Sequence, residues 1–242
     1  MKTSTQKTAC FLGIALIAAM VFSFASCKQD GGDDGDPSPF LGPTLTVSGE
    51  QVYTFDQDNV KFIEFDGNLT IADIGGVSGA IANGKLTFTI ETPTSLEDIS
   101  DSEFFYDNYN GYWGDTKCEP SDTKCFTLDL HITGSSEYND VGKGNVSGTD
   151  NNGWEEDVFY IYVDRDVTIT REGKTGIHID DDDETETFWE TKDFNLSLKK
   201  GWNAVCDRLS WKGTKDTETL SLGNPKNDKW IVSARGYYDD ED

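Results

Sequence analysis

The sequence predicts an all-β fold, a β-sandwich of about ten or more short antiparallel strands. Three observations predict it. Apolar and polar residues alternate with a period of two in many short runs. Turn-forming residues recur at roughly the 8–12-residue spacing of sandwich proteins. No segment sustains a 3.6-residue period, and only SLEDI (95–99) offers a helical turn. A partly closed barrel is the alternative packing of the same strands.

The elements follow in order. TLTVS (44–48) and QVYTFD (51–56) are separated by Gly49-Glu50, and VKFIEFDG (60–67) is followed by LTIAD (69–73). GVSGAIANGKLTFTIETP (76–93) reads as a hairpin. Its Asn83-Gly84 pair suits a type I′ turn, which needs positive φ at both central residues. Beyond the turn, Leu86, Phe88 and Ile90 alternate with Lys85, Thr87 and Thr89. In CFTLDLHI (125–132), Phe126, Leu128, Leu130 and Ile132 face in, while Thr127, Asp129 and His131 face out. EDVFYIYVDRDVTITREG (156–173) gives an apolar strand, a turn at Asp164-Arg165, and a second strand carrying Val167 and Ile169. KTGIHID (174–180) and TETFWET (185–191) flank an acidic run. KDFNLSLKKGWNAVCDRLSW (192–211) places Phe194, Leu196 and Leu198 on one face, turns at Lys200-Gly201, and resumes at Trp202. TETLSLG (217–223) and KWIVSARG (229–236) close the domain. Gly, Asn and Ser accumulate over 134–153, which reads as a junction between two β-layers. The folded domain spans 43–238, with an acidic tail at 239–242.

The N-terminus has a different character. Lys2 and Lys7 precede the uncharged apolar stretch CFLGIALIAAMVF (10–22), which has the length of a signal-peptide core and is short for a membrane span. Phe24-Ala25-Ser26-Cys27 resembles the bacterial lipobox, with Phe24 where Leu is usual. That resemblance implies a signal peptide at 1–26 and two or three lipid chains on Cys27, enough for a stable anchor. Ordinary secretory cleavage, leaving Cys27 as a thiol, is the other reading. Residues 27–42 then form an acidic Gly/Asp/Pro tether that cannot bury itself. An acidic stretch directly after the lipidated cysteine also resembles the surface-export signals of some diderm lipoproteins.

All 45 acids and 18 of the 20 bases follow Cys27, so the mature chain carries a charge near −27. Such a charge disfavours nucleic acid and anionic lipid surfaces, both polyanions. It favours cations and basic partners. Of the five cysteines, Cys10 leaves with the signal peptide and Cys27 takes lipid. Cys118 and Cys125, in CEPSDTKC, are expected to form a disulfide, which an exported location permits. Closing so short a loop stabilises by about 2–3 kcal/mol in the chain-entropy model. Cys206 is then a buried thiol, or pairs with one of the other two.

The elements GAIANGKLTFTIETP, YIYVDRDVTIT and FNLSLKKGWNAV, in that order after a lipobox, resemble a loosely defined set of uncharacterised bacterial lipoproteins. The resemblance implies an all-β fold and an envelope location, and brings no catalytic residues.

Two stretches could carry binding chemistry. DSEFFYDNYNGYWGD (101–115) gathers Phe104, Phe105, Tyr106, Tyr109, Tyr112 and Trp113 among Asp, Asn and Gly. Flat rings beside hydrogen-bond acceptors suit a sugar ring or a protein partner. The same rings could instead cap one end of the core. SGTDNNGWEED (147–157) offers Asp150, Asn152, Glu155 and Asp157 as oxygen ligands for calcium, the one cofactor with any support. It does not fit an EF-hand, because with Gly153 as sixth position the twelfth is Phe159. The run Asp180 to Glu184 is a like-charge loop that a divalent cation would relieve.

Catalytic signatures are missing. Neither His131 nor His178 sits in a protease motif, and no HExxH, Walker or GxGxxG element is present. Among 45 acids some pair always has a suitable spacing, so paired carboxylates for glycoside hydrolysis carry no information before the fold is known. The sequence therefore leads to a lipid-anchored outer-membrane protein, displayed outward and without catalysis. Its expected role is recognition or adhesion. A glycan-binding component of an uptake system and a structural envelope protein are the alternatives. Its expected partners are the membrane, through the anchor, and a protein or glycan, not nucleic acid.

Overall fold

The computed structural model describes residues 39–56, 61–71, 79–102, 116–149, 152–179, 186–225 and 227–234. All lie in one unit, Asp36–Asp242. In chain order the strands are β1 (Phe40–Gly42), β2 (Leu45–Gly49), β3 (Val52–Asp56), β4 (Lys61–Phe65), β5 (Leu69–Ile71), β6 (Gly79–Ala82), β7 (Lys85–Ile90) and β8 (Glu97–Asp98). A 3-10 turn follows at Ile99–Asp101; it shares only Ile99 with SLEDI, whose Glu97 and Asp98 form β8 instead of a helical turn. Then come β9 (Lys117–Glu119), β10 (Lys124–Thr127), β11 (Ile132–Thr133), β12 (Tyr138–Thr149), β13 (Asn152–Val163), β14 (Val167–Arg171) and β15 (Thr175–Ile179). The last are β16 (Glu186–Thr191), β17 (Phe194–Leu198), β18 (Gly201–Lys212), β19 (Lys215–Leu222) and β20 (Lys229–Ala234).

The fold is all-β, and its strands form three open sheets with no closed barrel. A twelve-stranded sheet runs β15-β16-β19-β18-β13-β12-β20-β3-β4, with β1 added to β18 and β10 linking β13 to β8. A five-stranded sheet runs β11-β5-β6-β7-β2, and a three-stranded one β17-β14-β9. Two pairings depart from the expected antiparallel pattern: β16 with β19 and β20 with β3 are parallel.

Side-chain alternation along β13 explains the layering. Val158, Tyr160 and Tyr162 point to one face of the large sheet. There they pack with Trp202, Ala204, Trp230 and Val232 against Leu45, Val47, Ile81, Leu86, Phe88 and Ile90 of the five-stranded sheet. Ile161 and Val163 point the other way, into a second core with Val167, Ile169, Phe194, Leu196 and Leu198 of the three-stranded sheet. The large sheet is thus covered on both sides, by different partners.

The expected hairpin is present. Asn83 and Gly84 have φ of 51° and 72° and join Ala82 to Lys85 as a two-residue turn. Gly84 has a second reason to be glycine: a Cβ there would lie 2.2 Å from the Phe65 carbonyl oxygen.

Three expectations need correction. Within the stretch 134–153 only residues 134–137 join two layers, passing from β11 of the five-stranded sheet to β12 of the large one; residues 138–149 form the long strand β12. CFTLDLHI is no continuous strand, since β10 ends at Thr127 and β11 begins at Ile132. Cys118 and Cys125 are free thiols rather than a disulfide. Cys118 belongs to the three-stranded sheet and Cys125 to the large one, and both side chains are taken up by the apolar core between them. Burial pushes the Cys125 thiol up to about 12. Cys206 is also free and buried, and burial again pushes its thiol up to about 12.

Candidate functional site

The three-stranded sheet covers only one end of its face of the large sheet, reaching Leu220 and Leu222 of β19. Beyond that end, β13 exposes Glu155 and Asp157. Register fixes what lies around them. One cross-strand row reads Gly148, Gly153, Trp211, Asp216, Trp189, Gly176, across β12, β13, β18, β19, β16 and β15. The next row on the same face reads Val146, Glu155, Leu209, Glu218, Thr191. The third reads Gly144, Asp157, Asp207, Leu220. One face therefore carries two indoles and five carboxylates.

The indoles are placed by glycines. A Cβ on Gly153 would lie 2.5 Å from Trp211 Cζ2, so the ring occupies the space a side chain would need. Trp211 Nε1 donates to the Thr149 carbonyl at 2.7 Å, drawing the ring from β18 across β13 to the end of β12. At the other end of the row, a Cβ on Gly176 would lie 2.3 Å from Trp189 Cζ2. Trp189 also lines an open groove of about 590 Å³ with Ile177 and Phe188. The two rings lean outward over their glycines, with Asp216 between them in register. At a strand spacing of about 4.8 Å, the stretch from β13 to β15 is roughly 19 Å wide.

The carboxylates crowd one another. Asp157 and Asp207 are directly opposite on β13 and β18, where side chains of neighbouring strands are closest. Asp157 is exposed as a residue. Its Oδ1 nevertheless sits low on the sheet, 2.8 Å from where a Gly144 Cβ would be, and that lost hydration raises its pKa. Glu155 is raised by burial and by the Asp157 charge. Asp207, half-buried, is raised to about 7, by burial first and then by Asp157; a hydrogen bond shared with Glu218 opposes the shift. Its Oδ1 is shielded from solvent and has no hydrogen-bond partner among the described residues.

The expected site residues fare differently. Glu155 and Asp157 come together on this face. Asn152, at the hairpin tip, alternates onto the opposite side, and Asp150 lies outside the described residues. Among the described residues no group of three or more His, Cys, Asp or Glu side chains has a metal-site arrangement. Phe104, Phe105, Tyr106, Tyr109, Tyr112 and Trp113 lie outside the described residues, as do Cys27 and Asp180 to Glu184. His131 does face outward and lies 2.5 Å from Asp140 Oδ1. Trp189, Asp207, Trp211, Asp216 and Glu218 were missed by reading the sequence. The one local sign of them was a tryptophan in each of two strands otherwise rich in polar residues, TETFWET and LSWKG.

No family model matches the chain, and neither a curated protein nor a solved structure is found to resemble it.

Proposed function

We propose that this chain is a lipid-anchored envelope protein that recognises a glycan on the open face of its large sheet. One observation carries the glycan reading: Trp211 lies across Gly153 in a single row with Asp216 and Trp189. A pyranose needs a flat apolar surface for its C–H side and acceptors for its hydroxyls. The indole supplies the first, and Asp157, Asp207, Asp216 and Glu218 supply the second. Twisted strands hold both in place, so little ordering cost falls on binding. The role remains recognition without catalysis, as an outward-facing component of adhesion or uptake.

Trp211→Ala is expected to weaken glycan binding by about 30-fold, the loss of about 2 kcal/mol typical of a buried aromatic anchor. The check is a glycan array followed by titration of the best ligand, with the melting temperature measured in parallel. Unchanged affinity would remove the reading. So would a melting collapse, because the ring would then serve only to pin the β12–β13 hairpin through Thr149.

The anchor reading rests on the lipobox resemblance around Cys27. Cys27→Ala is expected to move the protein from the membrane fraction to the soluble fraction of the envelope. Continued membrane retention would refute lipidation at that residue.

A further inference from the structure

Resting on the glycan reading, we infer that the saccharide this face takes carries free amino groups. The reason is charge complementarity across an apolar platform. On β13, β18, β19 and β16, the face holds Glu155, Asp157, Asp207, Asp216 and Glu218 and no lysine or arginine among the described residues; the one basic residue in their rows is Lys229 of β20, across Gly144 from Asp157. The cations of neighbouring strands are engaged elsewhere. Arg208 alternates to the other face, where it pairs with Glu156 at 2.5 Å and lies over the Trp154 ring. Lys229, across Gly144 on β20, holds its ammonium 4.5 Å from the Phe62 ring centroid. An acidic sugar or a phosphate would meet uncompensated repulsion here. A neutral sugar would leave Asp157 and Asp207 opposed with nothing between them.

An ammonium group answers both features. It donates three hydrogen bonds, and the shielded Asp207 Oδ1 has no partner of its own among the described residues. Ammonium groups are also attracted to indole faces, which this row offers at Trp211. Burial raises the pKa of both carboxyls, and at Asp207 the Asp157 charge adds to it. A cation between the two carboxylates would lower both.

The test is titration calorimetry on the full chain in detergent at pH 6. The probes are a glucosamine hexamer, its fully N-acetylated counterpart, a neutral glucose hexamer and a tetralysine peptide. The glucosamine hexamer is expected to bind at least about tenfold more tightly than either neutral hexamer, and to weaken as salt is raised. Asp157→Asn is expected to weaken the glucosamine hexamer several-fold more than the neutral hexamers and so to remove most of that preference. Equal binding of all three hexamers would overturn the amine proposal and leave the glycan reading standing. Failure of every hexamer and of a broad glycan panel would overturn both. Binding of tetralysine without the glucosamine hexamer would replace the saccharide with a basic peptide. The comparison of hexamers on the unaltered chain decides the matter even if the variant fails to fold.

Discussion

Trp202→Ala is expected to lower stability by about 4 kcal/mol, at the high end for a single core substitution. Trp202 is fully buried at the start of β18. Its ring meets Tyr162 and Phe126 edge-on, at centroid distances of 5.7 and 6.1 Å. Its Nε1 donates to the Glu91 carbonyl at 3.3 Å, tying the large sheet to the end of β7. Alanine would leave a cavity between two layers and remove the hydrogen bond to the Glu91 carbonyl, both of which cost stability. For a domain of this size the melting temperature should fall by about 8–16 °C. Thermal unfolding followed by near-UV circular dichroism checks it. A fall below about 3 °C would mean that the two layers do not depend on this ring.

The second large effect is pH-dependent. Asp207 has a folded-state pKa of about 7, well above an unfolded aspartate at about 3.9. A raised carboxylate favours the folded state only while protonated. Its contribution is complete below about pH 4 and is lost as the pH rises through about 7. Asp207→Asn keeps the shape and removes the titration. It should raise the melting temperature at pH 8 and leave it nearly unchanged at pH 4. Discounted for the side chain's partial exposure, the gain is on the order of 2 kcal/mol, or roughly 4–8 °C. Melting curves of both proteins across pH 4 to 8 check this. Parallel curves with no divergence near pH 7 would show that Asp207 titrates as an ordinary surface acid.

Local chemistry made part of this architecture legible. Asn83-Gly84 specified its own hairpin, because few other pairs tolerate two positive φ values in succession. Phe194, Leu196 and Leu198 named a strand with one buried face by their spacing alone. The stretch 134–153 does hold the crossing between two layers, at 134–137, but the rest of it was misleading for a reason visible only in three dimensions. Gly144 and Gly148 look like linker residues, yet a side chain at either would collide with β13: with the Glu156 carbonyl oxygen at 2.3 Å, or with the Gly153 Cα at 2.2 Å. Those glycines make room for neighbours. The candidate face was illegible for a related reason. Glu155 and Asp157 stood out locally, but Asp207, Glu218 and Trp189 join them through register, including the parallel β16–β19 pairing that no turn sets. The three layers were hidden as well, because alternation shows that a strand has two faces but not what covers each.

The place of β20 in the large sheet sets the order in which this protein can assemble. β3 and β4 reach that sheet only through β20, the last of the described strands. β3 and β4 therefore wait for a late strand, and most of the chain must be closed into a loop before Val52 finds Trp230. Such long closures slow folding, because their entropy is lost before any contact repays it. A chain still emerging from the ribosome, or still threading through a membrane pore, would hold its N-terminal strands without their final neighbour. Completion then becomes a single late event. Loss of residues 229–234 would split the large sheet instead of trimming its edge.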